Sequence, residues 1–346
     1  LLNVYMKTKN YESALNVIEK IRNPDYKVKS AYQVAVYNIA VDHYQQKEYD
    51  EALRWFQFVS KYDFEKVTLA ESYFWQGELK FKKKNFRGAI DSYEQFISAS
   101  QSYQSKYFSR AYYGKAYSQL KLKAYSKALE NYHQFIHFDK GKNSKLNADA
   151  EQRIGDIYFL QKNYTQSITY FKSALSKSDF DKDYALFQIA MAQGYLEEPE
   201  EKIITLHQLI DELPESVYRP QAMYEIGSTH FETENYELAL DMLEELESTY
   251  PSNKLVAESY LKRGLIYIKL HDDEASKDAF LYVYENYPNS KASNEALISL
   301  KEVDLATFTR LAKETGYAGI SEEDVDAANF EESEEVYLSG NYTKAA

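Results

Sequence analysis

Residues 227–251 read GSTHFETENYELALDMLEELESTYP, and residues 264–288 read GLIYIKLHDDEASKDAFLYVYENYP. In both stretches a glycine is followed 12 positions later by Ala or Ser, and a further 12 positions later by proline. The two stretches begin 37 residues apart. A pattern that returns at a fixed interval of about 20–50 residues indicates an array of repeats rather than one central core.

A short phrase in the middle of these stretches recurs along the chain. It consists of Asn, Glu or Asp, then an aromatic residue, then a small and a bulky apolar residue three and four positions later. The second position of the phrase returns every 36 to 39 residues. This position lies at 11, 49, 86, 125, 164, 200, 236 and 273. The copies of the phrase at 200 and 273 are degraded, and a further copy starts at Asn341-Tyr342.

A small residue also lies at the centre of the amphipathic stretch before each phrase. In five of seven cases it precedes the small residue of the phrase by 12 positions. The seven residues are Ala40, Gly77, Gly114, Gly155, Ala190, Gly227 and Gly264. Glycine within a helix costs about 1 kcal/mol relative to alanine, so its recurrence indicates a need for close approach. The pattern predicts antiparallel helix pairs, A and B, that cross at their small residues.

Composition excludes several classes of protein. The 346 residues include no Cys, so disulfides and Cys-ligated metal sites are excluded. The mean hydropathy is −0.61, and no apolar run reaches the roughly 18 residues expected of a membrane-spanning helix. Gly (11) and Pro (6) are scarce while helix-forming residues dominate, so an almost entirely helical chain is predicted.

The glycine, aromatic, small-residue and proline positions resemble those of the tetratricopeptide repeat (TPR). The stretch from Gly264 to Pro288 matches with Tyr267, Ser276 and Phe280. Departures are the missing Trp of most A helices, two to five extra residues per repeat, and a weak copy at 185–213. The resemblance implies an all-α fold, a right-handed superhelical solenoid of antiparallel helix pairs with about seven full repeats and divergent or truncated terminal ones.

The repeat positions predict where the elements lie. Residues 1–291 are predicted to form the solenoid, beginning with a partial repeat, residues 292–320 a divergent helix pair, and residues 321–346 the truncated start of a further repeat. The full pairs are expected at 31–62, 68–99, 105–138, 146–177, 183–212, 219–249 and 255–286. Because the chain starts inside a helix A and stops early in a helix B, we expect it to be a fragment at both ends.

A stacked array of this kind binds partners in the concave groove lined by its A helices. Two helix-A positions are candidates for partner contact: the one three residues before the small residue and the one just after it. The position three residues before the small residue is occupied by Tyr37, Phe74, Ala111, Gln152, Tyr224 and Leu261. The position just after it is occupied by Val41, Glu78, Lys115, Asp156, Ser228 and Leu265. This mixture of aromatic and charged side chains suits an extended peptide or a helix, although each residue could instead pack on the next repeat. The family's carboxylate-clamp pattern is not matched.

Candidates for catalysis or metal binding are weak. His133 and His137 are four residues apart on a predicted helix B but lack an evident third ligand. The run Asp179-x-Asp181-x-Asp183 begins like a calcium loop, but Tyr184 stands where that loop needs glycine, so a polar turn is expected. No phosphate loop, nucleophile motif or distinctive carboxylate pair occurs. We therefore expect no catalytic, metal or cofactor site.

Charge divides the chain. Residues 1–150 contain 24 Lys and Arg and 16 Asp and Glu, whereas residues 151–346 contain 17 and 38. The basic first half could attract an anionic lipid or nucleic-acid surface, and its lysines could equally be ordinary solubilising residues. The acidic second half argues against nucleic acid along the whole groove, so no nucleic-acid partner is expected.

The favoured function is a non-catalytic scaffold that binds a protein or peptide in the groove. The loops Tyr250-Pro251-Ser252 and Tyr287-Pro288-Asn289 resemble those of bacterial periplasmic TPR proteins, such as outer-membrane assembly lipoproteins and the Tol-Pal coordinator, and residues 331–346 resemble long TPR proteins of Bacteroidetes. This resemblance implies a periplasmic location, with envelope or outer-membrane complexes as partners. The alternatives are a cytoplasmic location and the regulatory arm of an enzyme whose catalytic domain lies elsewhere.

Overall fold

The computed structural model describes residues 2–99 and 101–317. These residues form 18 α-helices and one short 3-10 helix and include no β-strand. They divide into two units, the first ending at Asp181 and the second starting at Lys182. The first unit contains α1 (Leu2–Lys7), α2 (Tyr11–Ile18), α3 (Tyr26–Gln45), α4 (Tyr49–Val59), α5 (Lys66–Lys82), α6 (Phe86–Ser98), the 3-10 helix (Ser102–Gln104), α7 (Phe108–Lys121), α8 (Tyr125–Asp139), α9 (Ser144–Leu160) and α10 (Tyr164–Lys177).

The second unit continues the alternation of A and B helices. It contains α11 (Lys182–Tyr195), α12 (Pro199–Glu212), α13 (Arg219–Glu232), α14 (Tyr236–Thr249), α15 (Leu255–Leu270), α16 (Asp273–Asn286), α17 (Lys291–Val303) and α18 (Leu305–Thr315). The predicted all-helical fold is confirmed, and helix pairs lie at the seven predicted places. The domain boundaries drawn from the repeats stay a prediction, and the repeat expected at 321–346 lies outside the described residues.

Aromatic contacts show that the helices of a pair run antiparallel. In α5 and α6, the rings of Phe81 and Phe86 lie 5.4 Å apart beside the connecting turn. Those of Phe74 and Phe96 lie 5.7 Å apart near the far end of the pair. Between them, the site of a Gly77 Cβ would lie 2.7 Å from the Tyr93 ring. Glycine is therefore required where a large side chain of helix B lies against helix A, as its spacing in the sequence predicts.

The turn between helices A and B has the same geometry in eight of the nine described pairs, the exception being α17 and α18. In each of eight pairs a single residue adopts a positive φ of 57–65°. These residues are Lys9, Lys47, Lys84, Lys123, Lys162, Glu197, Glu234 and His271. None of them is glycine, although this left-handed region is unfavourable for residues with a side chain. The next residue is the N-cap of helix B, where the side chains of Asn10, Asn85 and Asn163 accept a hydrogen bond from the first turn and that of Asn235 does not.

Asparagine caps are expected to stabilise the pairs that carry them. The Asn85 side chain accepts a hydrogen bond from the Gly88 amide at 3.0 Å, so Asn85→Ala should lower the free energy of unfolding by about 1 kcal/mol. Ala124 has nearly the same backbone (φ −83°, ψ 62°) as Asn85 (φ −83°, ψ 73°) but no side-chain cap. Ala124→Asn should therefore raise the free energy of unfolding by about 1 kcal/mol. Urea unfolding followed by circular dichroism measures the free energy of unfolding of both variants. A change of the same sign in both would contradict a capping role for this position.

Buried glutamines connect A helices to the chain that follows helix B. The Gln33 side chain has no exposed surface and accepts from the Phe64 and Glu65 amides at 3.0 and 2.8 Å. Gln152 is equally buried, and its Nε2 donates to the Phe180 carbonyl at 2.9 Å. Each amide satisfies backbone groups that would otherwise be buried without partners. These residues position one repeat against the next loop.

The two units differ in charge. Residues 1–181 contain 28 Lys and Arg against 20 Asp and Glu, whereas residues 182–346 contain 13 against 34. The asymmetry seen in the sequence therefore follows the division into compact units. Across the described residues, no helix combines the length and apolarity needed to cross a membrane.

Candidate functional site

Three successive A helices of the first unit line an open cavity of about 530 Å³. We call it the helix-A pocket. Its lining comes from α5, α7 and α9, from Asn143 just before α9, and from Tyr93 of α6. The residues that line it are Glu78, Phe81, Tyr93, Arg110, Tyr113, Gly114, Tyr117, Asn143, Leu146 and Asp149. A cavity of this size, with aromatic walls and a few polar groups, is typical of ligand-binding sites.

Hydrogen bonds within one repeat and between neighbouring repeats hold the polar groups of the helix-A pocket in place. Glu78 accepts from Arg110 Nη2 at 2.7 Å and from the Tyr93 hydroxyl at 2.7 Å. Asp149 accepts from the Tyr113 hydroxyl at 2.5 Å. A carboxylate has about four acceptor positions and a guanidinium has five N–H donors, so both retain capacity to bind a ligand. The Arg110 side chain is 51% exposed, which leaves it accessible.

The phenols of the pocket act as donors. Burial raises the pKa of Tyr113, and the adjacent Asp149 carboxylate raises it further. Burial, followed by the charge of Glu78, raises the pKa of Tyr93 in the same way. Both hydroxyls therefore stay protonated at neutral pH and hold the two carboxylates in fixed orientations.

The predicted groove positions three residues before the small residue lie mostly inside the stack. Phe74 and Gln152 have no exposed surface, and Leu261 is 8% exposed. The physical reason is helical periodicity: a residue three positions before Gly77 shares the glycine's face, which packs on helix B. We therefore remove Phe74 and Gln152 from the candidate partner-binding surface. They position repeats instead of facing a partner.

Tyr37 and Tyr224, at the same position, are half-buried. The Tyr37 hydroxyl donates to Glu71 at 2.7 Å and accepts from the Trp75 indole at 2.9 Å. The Lys262 ammonium lies 5.7 Å from the Tyr224 ring centroid. Both tyrosines thus contribute to contacts between successive A helices and keep part of their surface accessible.

The position just after the small residue is more accessible. Glu78 lines the helix-A pocket. Lys115 and Asp156 are half-buried and form ion pairs, and Val41 is half-buried beside an aromatic cluster. Ser228 is 7% exposed. The structure therefore brings only Glu78 of the predicted residues into the pocket, and partner binding by the others stays a prediction.

Sequence reasoning did not identify Arg110, Tyr113 or Asp149. Arg110 and Tyr113 lie four and one residues before Gly114. Asp149 lies six residues before Gly155. Their partners are on neighbouring repeats, about one repeat length away in sequence. A hydrogen-bond donor and a carboxylate separated by 32 to 36 residues are therefore the signal that could have found them.

The candidates for metal binding do not converge. Across the described residues, no three His, Asp or Glu side chains are placed to hold one ion. The His133 ring lies 5.9 Å from that of Tyr170, and burial lowers the pKa of His133. Asp183 accepts from the Ser216 hydroxyl at 2.8 Å and from the Tyr184 amide at 2.8 Å, which suits the predicted polar turn at the start of α11.

A pair of equivalent tyrosines provides a test of the pocket's hydrogen bonding. Tyr93 donates to Glu78, whereas the buried Tyr132 hydroxyl has no hydrogen-bond partner within the described residues. Tyr93→Phe should lower the free energy of unfolding by about 1–2 kcal/mol. Tyr132→Phe should leave it unchanged or raise it by about 1 kcal/mol. Urea unfolding of both variants measures this, and equal losses would contradict it.

Comparisons with known families and structures agree with the helical repeat fold. Models of the tetratricopeptide repeat match residues 35–57, 71–100, 148–176, 184–216, 221–253 and 258–290, somewhat more than half of the chain. No curated protein sequence matches it significantly. The pair α7 and α8, which no model matches, keeps the same turn. Its Gly114 faces Tyr93 of the preceding helix B, and not a ring of α8 as its predicted role as the crossing point of its own pair would require.

One solved structure shows a similar fold, and two others match less well. The C-terminal part of a TPR repeat-containing protein from Cytophaga hutchinsonii is 15% identical, with a TM-score of 0.62 over 77% of this chain and 99% of its own. A tetratricopeptide repeat protein from Parabacteroides merdae is 15% identical, with a TM-score of 0.48 over 78% and 98%. YrrB, described as a TPR protein with an unusual peptide-binding site, is 16% identical, with a TM-score of 0.47 over 61% and 99%. These similarities give no support to the resemblance to the Tol-Pal coordinator and outer-membrane assembly lipoproteins.

Proposed function

This chain belongs to the tetratricopeptide repeat family, and from that premise we propose that it is a non-catalytic scaffold that binds a peptide segment of a protein partner on its helix-A face. The observation that carries the proposal is the helix-A pocket, where three repeats contribute to one cavity of about 530 Å³.

The chemistry of the helix-A pocket suits an extended peptide. The rings of Phe81 and Tyr117 lie 5.6 Å apart in its wall and offer apolar surface for one side chain. Arg110 can donate to peptide carbonyls or to a carboxylate, and the oxygens of Glu78 and Asp149 can accept from peptide N–H groups. A groove of this kind obtains orientation from a few fixed polar groups and affinity from aromatic contact.

The test starts by selecting ligands for the whole 346-residue chain from a random peptide library. Selected peptides are then titrated against Arg110→Ala by fluorescence anisotropy. Loss of a charge-assisted hydrogen bond of about 1.5–3 kcal/mol should weaken binding at least about tenfold. The matched control is Arg54→Ala, since Arg54 is also an exposed arginine paired with a glutamate at 2.7 Å but lies outside the pocket.

The outcomes separate clearly. Selective loss in Arg110→Ala, with unchanged circular dichroism, supports the proposal. Equal affinity of wild type and Arg110→Ala, or equal loss in Arg54→Ala, would place peptide binding elsewhere and contradict it. Failure to enrich any peptide would also count against it.

We also propose that the chain works in the bacterial cell envelope, where partners would be components of envelope or outer-membrane complexes. The support is the resemblance of the loops at Tyr250-Pro251 and Tyr287-Pro288 to those of periplasmic TPR proteins. Fractionation of the source cells, with an antibody against this chain, tests the location. Recovery in the periplasmic or outer-membrane fraction is expected, and recovery only with cytoplasmic markers would refute it.

A further inference from the structure

The turns between A and B helices of the first unit present a row of lysines. In all five turns the residue with positive φ is lysine, and each of these side chains is exposed. Further exposed lysines lie within two residues of these turns. We call the whole set the basic turn edge: Lys7, Lys9, Lys47, Lys82, Lys83, Lys84, Lys121, Lys123 and Lys162.

The equivalent turns of the second unit are acidic. The left-handed residues there are Glu197, Glu234 and His271. Exposed carboxylates flank all three turns and the starts of the B helices that follow them. We call this set the acidic turn edge: Glu197, Glu198, Glu200, Glu201, Glu232, Glu234, Glu237, Asp272, Asp273 and Glu274.

The fold does not dictate these charges. Lys84 and Glu234 have φ values of 59° and 61°, so the same backbone geometry accepts either sign. Lys83 pairs with Asp50, but the five lysines with positive φ form no ion pair among the described residues. A row of unneutralised lysines repels itself, which costs stability unless a counter-charge is bound. Beside the first-unit turns Glu12, Glu48 and Asp50 are also exposed, but lysines outnumber them. The predominance of one sign in each of two sets of identical turns therefore requires an explanation outside the fold.

We propose that the basic turn edge of one copy of this chain binds the acidic turn edge of a second copy. The chain itself supplies a complementary surface with a similar number of charges. An anionic membrane is a poorer occupant, because the net charge of −13 would repel it from the chain as a whole. None of the lysines of the basic turn edge lines the helix-A pocket, although the Lys121 ammonium lies 5.1 Å from the ring centroid of Tyr117, which does.

Such an interface should be strongly salt-dependent. Single exposed ion pairs contribute about 0–1 kcal/mol, so affinity must come from many pairs together. The Debye length falls from about 14 Å in about 50 mM salt to about 4 Å in about 500 mM salt, so charges facing each other across a solvated contact lose most of their attraction. We expect the association constant to fall at least about tenfold over this range.

The test is a charge exchange measured by sedimentation velocity of the whole chain at low salt. Lys84→Glu/Lys123→Glu reverses two positive charges of the basic turn edge. Glu197→Lys/Glu234→Lys reverses two negative charges of the acidic turn edge. Both should remain folded, because the chain already holds Lys and Glu in this conformation. Each double variant alone should lose self-association at least about tenfold, and an equimolar mixture of the two should restore it. Circular dichroism verifies the fold of both.

Restoration on mixing supports the proposal, since no structural defect of either variant predicts it. A wild-type chain that stays monomeric at low salt overturns it, as does association that survives both charge reversals. A third result would overturn it in favour of a lipid: monomeric protein that binds phosphatidylglycerol vesicles and loses this binding in Lys84→Glu/Lys123→Glu. The peptide-binding test with Arg110→Ala is independent of all these outcomes.

Discussion

Replacing Phe74 with alanine is expected to lower the free energy of unfolding by about 3–5 kcal/mol. Its side chain has no exposed surface. The ring stacks on Tyr107 at 4.5 Å with an interplanar angle of 6°, and it lies 5.7 Å from Phe96. Tyr107 immediately precedes the next helix A, so removal of Phe74 leaves a cavity between two repeats as well as within one.

Urea unfolding followed by circular dichroism measures the effect, with Tyr103→Ala as the matched control. Tyr103 is also aromatic but is 68% exposed, so its replacement should change stability by less than about 0.5 kcal/mol. The sequence pattern placed Phe74 in the partner-binding groove. If that placement were right, Phe74→Ala would weaken peptide binding with little change in stability, which is the outcome that would contradict the packing role.

The Gly264→Ala substitution is also expected to lower the free energy of unfolding. An alanine Cβ at this position would lie 2.3 Å from Phe280 Cε1, a distance that requires the ring or the helices to shift. We expect overpacking near the upper end of its usual range, about 3 kcal/mol, against about 1 kcal/mol gained in helix propensity. The net loss of stability should therefore be about 2 kcal/mol.

Two further variants check this cause. At Gly194 an alanine Cβ would meet only the flexible Lys202 stem, with its Cδ at 3.2 Å, so Gly194→Ala should leave stability unchanged or raise it by up to about 1 kcal/mol. Phe280→Leu in the Gly264→Ala background should recover part of the loss, because the smaller side chain relieves the contact. Equal effects of Gly264→Ala and Gly194→Ala in a thermal-unfolding comparison would show that helix propensity, not packing, decides the result.

The fold was predictable because the residues that determine the helix packing and the turn lie within each repeat. Gly77 and Gly264 mark places where only a missing Cβ permits the approach of a large side chain. Asn85 and Asn163 mark the first turns of B helices. These signals are local and return every 36 to 39 residues, so each copy reinforces the others. The division at Asp181 has no such signal, since it depends on the density of contacts between neighbouring pairs.

The site was less predictable because it lies between repeats. The repeat motif specifies how helix A packs on its own helix B, but not which faces of successive A helices meet. Glu78 was identified from its register alone, whereas its partner Arg110 belongs to the next repeat and its donor Tyr93 to helix B. Gln152 was misplaced for the same reason, because its amide serves the loop after the following helix.

The uniform turn has a consequence for how such a chain changes over evolutionary time. A backbone that holds Lys84, Glu234 and His271 in one conformation separates the choice of charge from the requirements of folding. Single substitutions at these positions can alter the electrostatic identity of a repeat without compensating changes in its core. Duplication of a repeat copies the backbone geometry of the turn. The partner specificity of the new repeat can then diverge through substitutions in its turn alone.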